Sequence, residues 1–195
     1  GKINPRVVAL DADVSNSTFT EYFGKEFPSR YFECRIAEQN MVSAAVGLAA
    51  TGKIPFVSSF AKFLSRAFDQ IEMAVISGHG VKLVGSHAGV TLGPDGPSQM
   101  GLTDVAFFRS FPADPDGNGE PAMAFFFPSD GVAAYKCTQL VVDHPGMCYL
   151  RTLRSDLGLL YSVDTEFELS GAKTLASGAD LTIMASGYMV HLAKQ

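Results

Sequence analysis

Hydrophobic and polar positions along the chain form short blocks of two kinds. Apolar runs rich in β-branched and aromatic residues predict strands at 7–13, 31–36, 55–59, 81–87, 124–128, 147–152 and 181–187. Between these runs, apolar residues recur at helical spacing, most clearly from Phe60 to Ala74. Further helices are predicted to begin after Asn16 or Ser17, to run from residue 39 to 51, and to follow a cap at Ser129 or Asp130.

The regular alternation of strands and helices predicts the fold class. It favours an α/β fold with a mainly parallel sheet, flanked by helices on both faces. In such sheets, ligands bind beyond the carboxyl ends of the strands. We therefore expect functional residues in the segments that directly follow the strands. Segment 112–122, which consists of turn residues, is predicted to be an exposed loop.

Composition narrows the class of protein. The 195 residues, 47% hydrophobic and 18% charged, are typical of one globular α/β domain. The net charge of −5 argues against nucleic acid as a partner, and no apolar run is long enough to span a membrane. Cys34, Cys137 and Cys148 show no metal-ligand spacing, so we expect no metal site and reduced thiols in a cytoplasmic protein.

Two segments after predicted strands carry unusual polar residues. Glu38 stands between an apolar run and a helical pattern. It is either a helix-start acid, which the helix dipole stabilises, or the end of a buried strand whose carboxylate binds a ligand. Segment 85–101 is rich in Gly and Pro yet includes His87, Asp95 and Gln99. A loop of this length is either a plain surface loop or a functional one.

Two further segments leave a structural and a functional interpretation open. Phe60 and Phe63 lie one helical turn apart, which is typical of a core but also suits the wall of a pocket for a flat ring. Arg151 and Arg154 follow a predicted strand and are either solvated or, facing Ser17, a phosphate site, since guanidinium groups bind phosphate in a bidentate fork.

Taken together, six segments carry a family resemblance from about residue 7 to residue 190. They read LDADVSNSTF, FECRIAEQNMVSAAVGLA, SSFAKFLSRAFDQIEMA, GSHAGVTLGPDGPSQMGLTDVAFFRS, FFPSDGVAA and YLRTLRSD. This ordered set resembles the pyrimidine-binding (middle) domain of transketolase, within the thiamine diphosphate enzyme superfamily. The resemblance implies that residues 1–185 form this domain, and that residues 186–195 begin a truncated C-terminal domain or tail.

The resemblance implies roles for two groups of residues. Glu38 matches the glutamate that hydrogen-bonds N1′ of the cofactor's aminopyrimidine and promotes its imino tautomer, while the cofactor supplies the hard chemistry. Phe60, Phe63 and Arg66 match the pocket around that pyrimidine, although many members have Tyr where this chain has Arg66. On the substrate side, the match assigns His87 to the reacting carbons, Asp95 and Gln99 to sugar hydroxyls, and Ser17 and Arg154 to the phosphate.

The implied reaction is the transfer of a two-carbon ketol unit between ketose and aldose phosphates, in the pentose phosphate pathway. It needs thiamine diphosphate and Mg²⁺ or Ca²⁺, with the metal bound by a diphosphate-binding domain that this chain lacks. We therefore expect a split subunit or an excised domain that is inactive alone and works within a homodimer. The alternatives are an enzyme like deoxyxylulose-phosphate synthase, with pyruvate as donor, and a non-catalytic interaction module of the same fold.

Overall fold

The fold is built on six parallel strands. The computed structural model describes residues 1–112, 119 and 121–195. The strands are β1 (Val7–Asp11), β2 (Tyr31–Glu33), β3 (Ile54–Phe60), β4 (Lys82–Ser86), β5 (Met123–Phe126) and β6 (Met147–Arg151). They form one sheet in the order β2-β1-β3-β4-β6-β5, and each neighbouring pair is parallel. The prediction of an α/β fold with a parallel sheet is confirmed.

Eight helices connect the strands or follow the last one in the described ranges. They are α1 (Ser15–Thr18), α2 (Thr20–Glu26), α3 (Glu38–Ala50), α4 (Ala61–Leu64), α5 (Phe68–Ile76), α6 (Asp104–Phe108), α7 (Gly131–Asp143) and α8 (Met189–Ala193). Short 3₁₀ turns occupy Pro28–Arg30, Ser65–Ala67, Gly93–Asp95 and Pro97–Gln99. Asp130 caps α7 as predicted, because its carboxylate accepts a hydrogen bond from the Ala133 amide at 2.7 Å.

Apolar side chains cover both faces of the sheet, which is why the central strands read as continuous hydrophobic runs. On one face, Leu10, Val57 and Leu83 pack with residues of α3 and α5, including Met41 and Ile71. Alternate residues of β5 and β6 form a second cluster with α7 on the other face, comprising Ala124, Phe126, Cys137, Val141, Cys148 and Leu150. Burial raises the pKa of both Cys137 and Cys148 to about 11, so these thiols are unreactive.

Three predicted elements differ from the structure. Residues 181–187 form no strand, and Leu181, Ile183 and Met184 are exposed. The sheet ends at β2 on one side and at β5 on the other, so this segment has no partner strand, without which a strand is not stable. The first helix is divided at Phe19, which adopts a left-handed conformation with φ 62°. The helix expected from Phe60 onward is interrupted by the turn Ser65–Ala67.

Two further sequence expectations concern the loop and the membrane. Residues 113–118 and 120 of the predicted loop 112–122 lie outside the described residues. In the part of the chain that the structure describes, none of the helices has the length and apolar character needed to cross a bilayer.

Candidate functional site

The carboxyl ends of β3 and β4 bring two predicted site residues into contact. The strands pair with Phe60 opposite Ser86, so that His87 comes directly after the end of β4 and beside the end of β3. The rings of Phe60 and His87 stack with centroids 4.0 Å apart and planes 16° from parallel. The register of the sheet therefore joins residues that are far apart in the sequence.

The helical turn after β3 extends this contact into a stack. Phe63 lies one turn beyond Phe60, and their rings stack at 5.0 Å with an interplanar angle of 10°. One turn further on, the Arg66 guanidinium lies 4.8 Å from the Phe63 ring centroid. We call His87, Phe60, Phe63 and Arg66 the ring stack. It runs along the carboxyl edge of the sheet, where open α/β sheets bind ligands.

Glu38 lies at the arginine end of the ring stack. It is the first residue of α3, where the helix dipole favours a negative charge, and only 2% of the residue is exposed. Its Oε1 accepts a hydrogen bond from Arg66 Nη1 at 2.5 Å. The helix-start interpretation is thus confirmed and the carboxylate is buried. The placement of Glu38 at a strand end is wrong, because β2 already ends at Glu33 and lies at the edge of the sheet, while ligand binding by this carboxyl group stays a prediction.

His87 lies at the other end of the ring stack in an unusual backbone conformation. Its φ of 54° is in the left-handed region, which is uncommon outside glycine and tends to occur at functional sites. Its Nδ1 lies 3.0 Å from Ser86 Oγ. Burial, and then the positive charge of Arg154, lower the pKa of His87, while Asp95 opposes this shift. The imidazole is therefore held neutral near pH 7.

The segment after His87 is an ordered loop that folds back on the sheet. Its two ends are joined by a hydrogen bond from the Gly89 amide to the Gly101 carbonyl at 2.9 Å. Gly101 has to be a glycine, because a Cβ atom there would lie 2.7 Å from the Ala61 side chain. The loop is consequently fixed against α4, the helix that carries Phe63.

Two predicted substrate residues contact each other across this loop. Arg154 Nη1 donates to Asp95 Oδ2 at 2.9 Å and to the Leu92 carbonyl at 3.2 Å. Both side chains are partly exposed, 47% for Arg154 and 39% for Asp95. The pair lies close enough to His87 for both charges to act on its pKa. The substrate roles of Asp95, Arg154 and His87 stay predictions.

Ser17 and Gln99 are less closely tied to this group. Ser17 is half-buried in α1, which packs against β3, whereas Arg154 follows β6, two strands further along the sheet. Neighbouring strands are about 4.8 Å apart. Ser17 and Arg154, which were expected to face each other, are therefore not in direct contact here. Gln99 is half-buried in the turn Pro97–Gln99, which packs against α4. The roles of these two residues stay predictions.

Arg151 differs most from its sequence interpretation. It lies inside β6 and is buried, with Nε donating to Asp104 Oδ2 at 2.7 Å. The same oxygen accepts a hydrogen bond from the Tyr149 hydroxyl at 2.8 Å. Arg151 is therefore a structural residue and not part of a phosphate site.

Two features of this edge were missed from the sequence. The first is the Glu38–Arg66 pair, whose members are 28 residues apart and are joined only by the packing of α3 beside the turn that carries Arg66. The second is Asp11 at the end of β1, a buried carboxylate that accepts hydrogen bonds from Thr18 and Thr20. The sequence did contain a signal for Asp11, because an acid at the end of an apolar strand is expected to be buried and needs hydrogen-bond donors nearby.

Among the residues that the structure describes, no three His, Cys, Asp or Glu side chains are grouped in a way that could hold a metal ion.

Sequence comparison identifies the family of the chain. The family model "Transketolase, pyrimidine binding domain" matches residues 1–158. The transketolase of Mus musculus is 46% identical over 196 residues, and that of Homo sapiens is 45% identical over the same length. Each match covers 99% of this chain but only 30% of the relative, so the chain spans less than a third of these relatives. The domain boundary at residue 185 stays a prediction.

Solved structures agree with this assignment. A protein described as "Split gene transketolase, inactive beta4 tetramer" has a TM-score of 0.84 and 36% sequence identity, covering 100% of this chain and 60% of that one. A transketolase from Campylobacter jejuni has a TM-score of 0.71 over 83% of this chain and 24% of its own, and at 21% identity it supports the fold alone. The chain belongs to the transketolase pyrimidine-binding domain family.

Proposed function

We propose that the chain is the middle domain of a transketolase, which transfers a two-carbon ketol unit between sugar phosphates with thiamine diphosphate. The observation that carries this proposal is the ring stack, which ends on the buried carboxylate of Glu38. Relatives that share about 45% of their residues with this chain are named transketolases, which supports the same reaction over the alternative with pyruvate as donor.

The residues at this edge fit the pyrimidine end of the cofactor. A guanidinium is a flat, nitrogen-bearing group, and Arg66 lies against the Phe63 ring while it donates to Glu38. An aminopyrimidine is also flat and bears nitrogen atoms in its ring plane. The position of Arg66 thus supports a site in which Phe60 and Phe63 contact the pyrimidine and Glu38 hydrogen-bonds its N1′.

Each residue has a chemical task in this proposal. When bound, thiamine diphosphate supplies the nucleophilic carbon that accepts the two-carbon unit. The Glu38 carboxyl group would hold a proton in a hydrogen bond to N1′. His87 is a neutral imidazole whose Nε2 we assign to the substrate, because Nδ1 lies beside Ser86.

The substrate end of the proposed site contains opposite charges. Arg154 has the planar fork that suits a sugar phosphate, together with Ser17. Asp95 would accept hydrogen bonds from sugar hydroxyls, and Gln99 would both accept hydrogen bonds from them and donate hydrogen bonds to them. Because Asp95 and Arg154 bind each other in this structure, a substrate has to replace their mutual hydrogen bond with contacts of its own.

The remaining parts of the proposal lie beyond this chain. We propose that a diphosphate-binding domain supplies the ligands for Mg²⁺ or Ca²⁺, and that the assembled enzyme is a cytoplasmic homodimer of the pentose phosphate pathway. The neighbour that comes from a split gene is described as an inactive tetramer. By analogy, this chain is inactive without the diphosphate-binding domain.

The test combines the chain with a diphosphate-binding transketolase domain, as a second subunit or in one polypeptide. Ketol transfer from a ketose phosphate is measured for the wild type and for Glu38→Ala. We expect the substitution to lower turnover at least about 100-fold, since it removes a proton-holding group from the site. Glu72→Gln, an exposed acid of α5, is the matched control and should leave turnover unchanged.

Three outcomes would contradict the proposal. Normal turnover of Glu38→Ala would show that the carboxyl group has another role. A preference for pyruvate over the ketose phosphate as donor, in the same assembled wild-type enzyme, would identify a different thiamine enzyme. No turnover with either donor would favour a non-catalytic interaction module.

A further inference from the structure

The side chain of Arg66 occupies the place that the proposed function gives to the aminopyrimidine. Its guanidinium contacts the Phe63 ring at 4.8 Å and donates to the Glu38 carboxylate at 2.5 Å. We propose that Arg66 is an internal occupant of the pyrimidine site, which holds the Glu38 carboxyl group in a hydrogen bond until the cofactor displaces it. This inference rests on the proposed function and adds to it a competition between a side chain and the cofactor.

The exposure of the two partners makes this exchange possible. Glu38 has a side chain only 2% exposed, so its carboxylate cannot leave the site without movement of α3. Arg66 has a side chain that is 50% exposed and lies in the short turn Ser65–Ala67. A long side chain on the surface can turn its charged end into water at little cost. Arg66 is therefore the partner that leaves.

The exchange replaces one hydrogen-bond partner of Glu38 with another. The Arg66 guanidinium leaves the Glu38 carboxyl group and becomes hydrated, and the aminopyrimidine takes its place beside that carboxyl group and the Phe63 ring. No covalent bond is made or broken in this step.

Removing the arginine side chain should remove this competition. Arg66→Met has no guanidinium beside Glu38 and should bind thiamine diphosphate about tenfold more tightly, because no charge-assisted hydrogen bond has to be broken. Arg66→Lys keeps a cation at this position and should bind the cofactor with an affinity close to that of the wild type.

The experiment is calorimetric titration of the assembled enzyme with thiamine diphosphate and Mg²⁺, at neutral pH. The titration gives the dissociation constant of the cofactor, and we expect this constant to be about tenfold smaller for Arg66→Met than for the wild type and Arg66→Lys. Lys25→Met, which removes an exposed cation of α2 paired with Glu21, is the control for loss of charge and should match the wild type.

Each outcome of this experiment decides a separate question. Equal affinity in the wild type and Arg66→Met would overturn the role of Arg66, while the proposed function stands. Weaker binding by Arg66→Met would make the arginine a ligand of the cofactor and would also overturn its role as a competitor. If the assembled wild type binds no thiamine diphosphate, both the inference and the proposed function fail.

Discussion

Two arginine–carboxylate pairs lie in different regions of this domain, and they differ in how much of the arginine water can reach. In the pair of Asp104 and Arg151, the side chains are 1% and 10% exposed. In the pair of Glu38 and Arg66, the acid is 2% exposed but the arginine is 50% exposed. Both acids are the first residues of helices, α6 and α3 respectively. The two pairs therefore differ in the exposure of their arginines and not in that of their acids.

This difference separates a structural pair from an exchangeable one. Arg151 lies inside β6, and its guanidinium is 4.5 Å from the Phe127 ring, so it has no path to water without unfolding of the strand. Asp104 Oδ2 also accepts a hydrogen bond from Tyr149, which ties the pair into the core. Arg66 is held by one hydrogen bond and one ring contact at the surface. Of these two arginines, only Arg66 can be displaced by a ligand.

The largest expected effect is on the structural pair. Asp104→Ala leaves the Arg151 charge and the Tyr149 hydroxyl without their shared acceptor in a buried place. We expect the free energy of unfolding to fall by about 3–5 kcal/mol, because an uncompensated buried charge is costly. Urea unfolding of the chain at pH 7 measures this change. A loss below about 1 kcal/mol would mean that Arg151 reaches water, and the contrast with Arg66 would disappear.

A smaller effect is expected when the exchangeable pair is broken. Arg66→Met removes a half-exposed cation that donates one hydrogen bond to Glu38. We expect the free energy of unfolding to change by less than about 1 kcal/mol, as is usual for pairs with an exposed partner. The same urea experiment checks it. A loss as large as that of Asp104→Ala would identify Arg66 as a structural residue and contradict its proposed departure from the site.

The sequence predicted most of the sheet because its pattern is local. Six of the seven strand predictions correspond to β1–β6, and Asp130 was correctly proposed as a helix cap. The failed strand, 181–187, has the right residues but no neighbouring strand in this structure. A hydrophobic pattern predicts what a segment can form, whereas hydrogen bonds to a neighbouring strand decide whether it forms.

The candidate site could be predicted only as a set of residues. Motif resemblance selected Glu38, Phe60, Phe63, Arg66 and His87, and the structure brings them into one chain of contacts. It could not give the Glu38–Arg66 hydrogen bond, because such a pairing depends on how two separate turns pack. The residue pattern alone did not tell Arg151 from Arg154, which lie within and beyond the end of β6, whereas the resemblance selected Arg154.

The smallest expected effect is on the pKa of His87, on which the partly exposed pair of Asp95 and Arg154 acts from a distance. The pKa of His87 is lowered from 6.5, first by burial and then by Arg154, against the opposing charge of Asp95. Arg154→Met should therefore raise this pKa, and Asp95→Asn should lower it further. Titration of the His87 ring protons by NMR, in the chain with each substitution, measures both shifts.

The sign of the accompanying change in stability follows from linkage. Because folding lowers the pKa of His87, the unfolded chain binds more protons just below pH 6.5, and the free energy of unfolding decreases as the pH falls from 6.5 toward the folded-state pKa. Arg154→Met should make this decrease smaller, and Asp95→Asn should make it larger. In the double variant, burial still keeps the pKa below 6.5, since burial is the first cause of the shift. Shifts of the same sign in both single variants would show that the charges act through a rearranged loop, and the pair would then resemble Asp104 and Arg151 in holding structure in place.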